Sequence, residues 1–288
     1  DDGIFDFVVN EFVPDLNYEF GRAGEASAEF NRNTKSTEAI RGLAVQNDGR
    51  FIAVGYGSIV RYQSTGSIDT SFGNQGIAFF DGIAKAVVIQ ADGKIVVAGE
   101  NAGLQLARYH PDGRLDKSFG TAGYVKTSLG ANTIVTDMVQ TADGQLIVVG
   151  SSALGTSQYS ATIVKYRSDG QLDTSFSQNG IFRTSFGSRG FANGVAVQSD
   201  GKLVIVGQEY NDFPDPSRFK VVRLNVDGAF DLSFGINGST SLVIGAGSTA
   251  FDVALQGDGK IVVAGSADGD SIIAPFGQRV FAMIRLTS

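Results

Sequence analysis

Residues Val195 to Gly238 read VAVQSDGKLVIVGQEYNDFPDPSRFKVVRLNVDGAFDLSFGING. Two β-branched, apolar runs, Gly194–Gln198 and Lys202–Gly207, flank Ser-Asp-Gly. That is a strand–turn–strand pattern, because Asp-Gly supplies the positive φ that a tight hairpin demands. Phe219–Asn225 alternates and ends in Val-Asp-Gly, a second hairpin signal, and a fourth strand is expected near Gly238–Val243. Three landmarks punctuate the stretch: Q-x-D-G-K at Gln198–Lys202, a basic residue before an apolar one at Arg223-Leu224, and L-D-x-S-F-G-x-x-G at Phe230–Gly238.

All three landmarks recur in the same order. Q-x-D-G-K stands at Gln46–Arg50, Gln90–Lys94, Thr141–Gln145 (degenerate), Gln198–Lys202 and Gln256–Lys260. Its aspartates are separated by 44, 51, 57 and 58 residues. The basic residue is Arg61, Arg108, Lys165, Arg223 and Arg285, and the third landmark begins at Leu16 (worn), Ile68, Leu115, Leu172 and Phe230. A near-fixed period in this range marks a repeat architecture. No segment carries a sustained helical period with caps, so helix is expected to be nearly absent. Four antiparallel strands per unit, repeated radially, predict an all-β, five-bladed β-propeller forming one domain. The repeats span approximately 38–80, 84–128, 134–186, 192–243 and 250–288.

Strands are lettered A to D from the one before Q-x-D-G-K. The A, B and D types number five each, but the C type numbers six, because Phe7–Val13 resembles one. The last repeat ends after its C strand, and a D-type strand is available near Gly24–Phe30. The N-terminal region is therefore expected to close the ring by completing the final blade, which removes free sheet edges. Ile4–Val13 is left as a surplus strand at the N-terminus. It is read as a clasp on its own ring or as a strand exchanged with a neighbouring molecule.

Composition narrows the functional classes. With no cysteine there are no disulfides, no thiolate chemistry and no cysteine-type zinc site. A net charge of −7 opposes nucleic-acid binding, which needs a basic footprint. No apolar run approaches the roughly 18 residues that span a bilayer, so no membrane insertion is expected. A sequence that opens at Asp1 fits removal of a signal peptide, and a secreted, periplasmic or cell-surface location is expected.

The segments Leu115-Asp116-Lys117-Ser118-Phe119-Gly120 and Leu172-Asp173-Thr174-Ser175-Phe176, with their paired Asp-Gly turns, resemble the bacterial delta-60 repeat over nearly the whole chain. The unit also resembles, more loosely, NHL-type propeller repeats. These resemblances imply a propeller in a bacterial envelope or extracellular setting. They transfer no catalytic residue. Ser177 for glycine, Thr141 for glutamine and the worn copy at Leu16–Gly24 depart from the pattern.

A residue repeated in every blade meets equivalent surroundings, so it is read as scaffold. The phenylalanines Phe20, Phe72, Phe119, Phe176 and Phe234 are expected to wedge between sheets. The basic column and the aspartates eight residues later (Asp69, Asp116, Asp173, Asp231) are expected to form ion pairs or Asx-type turns. Function is sought where the repeat breaks. The A–B and C–D turns are short and alike, which predicts one plain face. On the other face, the separation from the B-strand glycine to the basic residue grows from 6 to 9, 15, 16 and 20. Variable loops on a rigid frame are where binding usually resides. Ligand-binding candidates there are Tyr210, Asp212, Phe213, Asp215, Arg218, Tyr159, Asp268 and Asp270, with Phe276 and Arg279 beside them. A second set, Arg41, Lys85, Asp137 and Asp252, is expected near the loop-rich mouth of the axial channel.

Chemistry is sparsely supplied. The single histidine, His110, lies in a His-Pro-Asp-Gly turn, which removes serine–histidine catalysis and histidine-based zinc. Asn225–Asp231 and Asp268-Gly269-Asp270 touch calcium-loop spacing but lack the bidentate glutamate such a loop uses. No cofactor or metal is expected, with calcium as the exception that this spacing leaves open. Asp137 and Asp252 are the one pair able to serve as carboxylates of a glycosidase. The leading expectation is a non-catalytic exported propeller that binds a protein or glycan partner or assembles with itself. Lectin-like carbohydrate binding on the loop-rich face is the first alternative, and glycoside hydrolysis the second.

Overall fold

A computed structural model describes residues 39–130, 132–153, 159–212, 214–269 and 278–287. Every regular element among them is a strand. Blade 1 holds β1 (Ile40–Val45), β2 (Phe51–Tyr62) and the start of β3 (Ile77–Ile89). Blade 2 takes the rest of β3 with β4 (Ile95–Glu100), β5 (Leu104–Tyr109) and β6 (Tyr124–Thr127). Blade 3 is β7 (Ile134–Gln140), β8 (Leu146–Ala153), β9 (Tyr159–Tyr166) and β10 (Ile181–Thr184). Blade 4 is β11 (Phe191–Val197), β12 (Leu203–Glu209), β13 (Arg218–Leu224) and β14 (Ser239–Leu242). Blade 5 has β15 (Gly247–Leu255), β16 (Ile261–Asp268) and β17 (Arg279–Leu286).

All pairings between these strands are antiparallel, and the order within each blade follows the chain. Blade 1 hides two strands inside β2. The rings of Phe51 and Tyr62 stack with centroids 5.1 Å apart, although they stand at opposite ends of one twelve-residue strand. An extended strand of that length would separate them by roughly 36 Å. The chain therefore doubles back at Gly57, whose φ is 65°. β3 likewise serves two blades, pairing Ile77–Phe79 with β2 and Ala84–Ile89 with β4.

Alternation explains why the B strands read as continuous apolar runs. In β4, Ile95 and Val97 pack towards blade 1, while Val96 and Ala98 pack towards blade 3. β8 and β12 divide in the same way, with Leu146 and Val148 on one side of β8 and Ile147 and Val149 on the other. Each internal blade is thus buried on both faces, and the core is a series of layers between consecutive sheets. Inner strands touch in succession, β1 to β3, β7, β11 and β15. Among the described residues no comparable contact joins β15 back to β1. The expected closing strand near 24–30 and the surplus strand Ile4–Val13 lie outside the described residues.

One device recurs at the start of every inner strand. Pairing between A and B strands skips Arg41, Lys85, Thr136, Asn193 and Phe251 in turn. Each is the extra residue of a β-bulge, which bends the strand and re-aims its side chain. The bulge presses the A-strand backbone onto the glycine that ends strand B. A Cβ on Gly207 would stand 1.9 Å from the Phe191 carbonyl oxygen, and one on Gly150 1.9 Å from that of Ile134. Only glycine fits there.

Candidate functional site

The repeated residues form a staple between blades. In blade 2, Arg108 Nε donates to Asp116 Oδ2 at 2.8 Å while its guanidinium lies over Phe119, 4.6 Å from the ring centroid. Asp116 Oδ1 accepts from the Ser118 amide and hydroxyl, an Asx turn. Arg108 Nη1 then donates to Ser168 O of blade 3, and the Gly120 amide reaches Asp169 O. The same bonds run from Arg61 to Pro111 O and from Lys165 to Val226 O. Phe72, Phe119 and Phe176 are completely buried against the turn glycines Gly113, Gly170 and Gly228 of the following blade. Both halves of the sequence expectation for these columns, ion pair and Asx turn, are present together.

These carboxylates are strongly acidic. Burial alone would raise Asp69 and Asp116, but the serine hydroxyl and amide and the adjoining arginine outweigh it and bring each down to about 2. Asp231 shifts the same way, with the Ser233 hydroxyl as the largest cause. Groups held this firmly are framework.

The bulge residues carry the next connection. Thr136 Oγ1 donates to Ala192 O of blade 4 at 2.9 Å, and Asn193 Nδ2 to Ala250 O of blade 5 at 2.7 Å. Lys85 does so through Glu100, which pairs with Lys85 Nζ at 3.1 Å and accepts the Val135 amide at 2.7 Å. Glu100 was not singled out by the sequence, since it sits at the variable end of a B strand. Arg41 turns instead to Tyr56, donating to its hydroxyl and covering its ring. Arg41 and Lys85 are therefore committed to protein partners. Both were expected near the mouth of the channel, and each is engaged there by a neighbouring side chain.

Asp137 Oδ1 and Oδ2 accept the Met138 and Val195 amides at 2.7 and 3.0 Å. Burial raises its pKa against those two bonds, and the Asp252 charge adds to the rise. Asp252 is exposed, with Oδ1 on the Val253 amide at 2.7 Å. Gly194 stands between the blades that bear them: a Cβ there would lie 3.2 Å from Asp252 Cα. The pair is electrostatically coupled, yet each carboxylate is first a backbone acceptor.

The described loop-face candidates each make local contacts. Tyr210 is exposed, and its carbonyl accepts from the Ser188 amide and hydroxyl. Asp212 accepts from the same hydroxyl at 3.2 Å, and the Asp215 amide donates to Asp212 O. Arg218 opens β13 with its Nε buried and unpartnered. Tyr159 packs on Phe191, ring centroids 5.2 Å apart, and Asp268 pairs with Arg279. No hydrogen bond or ring contact joins Tyr159, Tyr210 and Asp268 to one another among the described residues. Phe213, Asp270 and Phe276 lie outside those residues. Of the calcium-like spacing, Asp227 Oδ1 accepts the Ala229 amide and Asp231 pairs with Arg223, so both oxygens are engaged in turn and ion-pair bonds.

The face expected to be plain carries cavities. Between blades 2 and 3 a groove of about 290 Å³ is lined by Asp92, Arg108, Gln140 and Ser168. Its counterpart between blades 3 and 4 holds about 530 Å³ and is lined by Asp143, Gln145, Lys165, Gln198 and Val226. A cleft of about 640 Å³ runs along β6 beside Asp81 and Gln171.

The family described as a domain of unknown function (DUF5122) β-propeller matches residues 46–72, 90–119, 141–176, 198–234 and 256–288, one segment per blade. The chain belongs to the DUF5122 β-propeller family. The expectation of a β-propeller repeat family therefore holds. No curated relative matches the chain. Among solved structures, a protein of unknown function from Bacteroides caccae is 13% identical with a TM-score of 0.53, covering 86% of this chain and 78% of its own. One from Dyadobacter fermentans is 13% identical with a TM-score of 0.51, covering 85% and 74%. Both likenesses concern fold alone. A gluconolactonase from Xanthomonas campestris, 16% identical over 77% of this chain and 68% of its own, has a TM-score of 0.42. That is too distant to bear on activity.

Proposed function

We propose that this chain is a non-catalytic, exported β-propeller that works as a binding and assembly module, with a second copy of itself as partner. One observation supports the reading above others: among the described residues, the outermost sheets expose the kind of face that every internal junction buries. On blade 5, Phe281 is fully exposed, Met283 is 70% exposed and Phe251 is 52% exposed. On blade 1, Ile40, Leu43 and Val45 are exposed to between 59% and 67%. Among the described residues, β17 pairs with β16 alone, whereas blades 3 and 4 have four strands each. Contiguous exposed apolar faces of this kind mark interaction sites.

A second copy is the occupant best matched to them. The last blade of one molecule and the first of another present the same two faces that pack wherever consecutive blades meet here, and heterologous contact between them buries both. Light scattering across a concentration series tests the assembly. The expected result is a mass above that of one chain, reduced to one chain by Phe281→Asp with Met283→Asp. A monomer at every concentration overturns the reading. Deleting residues 1–13 then asks whether strand exchange contributes: loss of assembly assigns it to Ile4–Val13, and retention assigns it to the exposed faces.

A further inference from the structure

The grooves on the short-turn face are built from equivalent parts, yet one is nearly twice the size of the other. Asp92, Arg108 and Ser168 around the smaller groove correspond by repeat position to Asp143, Lys165 and Val226 around the larger. Two departures in blade 3 open it. Gln145 stands where blades 2 and 4 place Lys94 and Lys202, and Lys165 stands where they place Arg108 and Arg223.

The missing charge changes the hydrogen bonding. Asp69 receives Arg61 at 2.7 Å and Arg50 at 3.1 Å, and Asp231 receives Arg223 at 2.8 Å and Lys202 at 3.1 Å. Asp116 has Arg108 at 2.8 Å and Lys94 at 3.9 Å. Asp173 has Lys165 alone, at 3.4 Å. The Lys165 ammonium has three protons, and its contacts with Asp173 and with Val226 O at 3.3 Å are both longer than ideal. A buried lysine therefore keeps donor capacity at the cavity wall.

Two side-chain amides complete the lining. Gln198 Oε1 is buried without a hydrogen-bond partner, an acceptor that lacks a donor. The Gln145 amide makes no side-chain hydrogen bond among the described residues and offers both kinds of group. Val226, half-exposed, supplies the apolar side of the groove, with Ile147 and Leu203 buried beneath it. Asp143 and Asp200 also line the cavity and oppose an anion there. A volume of about 530 Å³ falls within the range of small-molecule sites, roughly 300–1,000 Å³. Donors, acceptors and an apolar wall, with negative charge alongside, suit a neutral molecule whose hydroxyls both donate and accept and whose C–H face is apolar.

We propose that the groove between blades 3 and 4 on the short-turn face binds a neutral polyhydroxyl ligand of mono- or disaccharide size, held by Lys165, Gln145 and Gln198. This site does not rest on the assembly reading and lies away from the exposed terminal sheets. The test uses the full chain labelled at its isoleucine and leucine methyls, titrated separately with glucose, galactose, N-acetylglucosamine, trehalose and, as an anionic probe, inorganic phosphate. At least one sugar is expected to shift the Ile147 and Leu203 methyls saturably, and phosphate is not. The double variant Gln145→Lys with Lys165→Arg restores the pattern of blade 2, so it should unfold at or above the wild-type midpoint while sugar affinity falls at least about tenfold, or 1.4 kcal/mol. No saturable shift with any sugar, shifts confined to methyls outside the groove, saturable phosphate binding there, or sugar binding unchanged in the double variant would each overturn the proposal.

Discussion

Gly170 and Gly144 form a matched pair for testing how blades are joined. Both sit in Asp-Gly turns of blade 3 with nearly equal φ, +90° and +86°. A methyl group on Gly144 would meet nothing nearer than Ser168 Cβ at 3.6 Å, an ordinary contact. On Gly170 it would stand 2.7 Å from two atoms of the Phe119 ring and 2.7 Å from Val125 Cγ2. Gly144→Ala therefore carries only the backbone cost of a left-handed residue, about 1–2 kcal/mol. Gly170→Ala adds compression of a packed ring, about 1–3 kcal/mol more. Phe119→Ala, which empties a completely buried site, should cost about 3–5 kcal/mol by itself. With the ring removed, Val125 Cγ2 still crowds the added methyl, so Gly170→Ala should cost less than with the ring present but more than Gly144→Ala, which gives a coupling energy of about 1 kcal/mol or more. Urea unfolding of the four proteins of the cycle, with Gly144→Ala as control and a shared slope, measures it. Equal costs for Gly170→Ala with and without Phe119, to within about 0.5 kcal/mol, would show that the ring does not bear on the next blade's turn.

Other consequences follow from the same geometry. Asp116→Asn leaves Arg108 without its charge partner and should cost about 3–5 kcal/mol by urea unfolding. Gly207→Ala should prevent blade 4 from forming, while Gly257→Ala, with nothing within 4 Å of its added carbon, should match wild type within about 0.5 kcal/mol; circular dichroism melts separate the two. Acid should weaken the fold in a defined window. Asp69 and Asp116 fall from 3.8 to about 2 on folding, so each contributes about 2 kcal/mol that is complete above pH 4 and lost as pH falls through 2. Burial lowers the pKa of Arg61, but a guanidinium stays charged throughout this range, so the carboxylates set the acid limb. Unfolding free energies measured from pH 5 to 2 should decline on this schedule, and a flat profile would contradict the assigned pairs.

Legibility in the sequence was uneven for physical reasons. Asp200-Gly201 and Asp227-Gly228 announce hairpins because a turn's φ values are settled within four residues. The Arg223–Asp231 pair was readable because both members flank one turn and recur eight residues apart. Candidates named for their composition fared differently. The pairing of Lys85 with Glu100 was not readable, because an inter-strand neighbour cannot be seen along the chain. Tyr210's carbonyl and Asp212's carboxylate bind Ser188, some two dozen residues away, a contact that chain order does not announce. The degenerate motif at Thr141–Gln145 was noticed as a departure, but the groove it opens depends on Lys165 and on blade 4.

Strand order, the number of blades and the ion-paired turns were determined by sequence alone, since period-two burial and Asp-Gly turns act over a few residues and five copies reinforce one another. The tertiary structure decided the bulges at Arg41, Lys85, Thr136, Asn193 and Phe251, the seat of each phenylalanine on the next blade, and the size of the groove at Lys165. Those features depend on how closely atoms of different blades approach, and that distance is a property of packed sheets that no single repeat encodes.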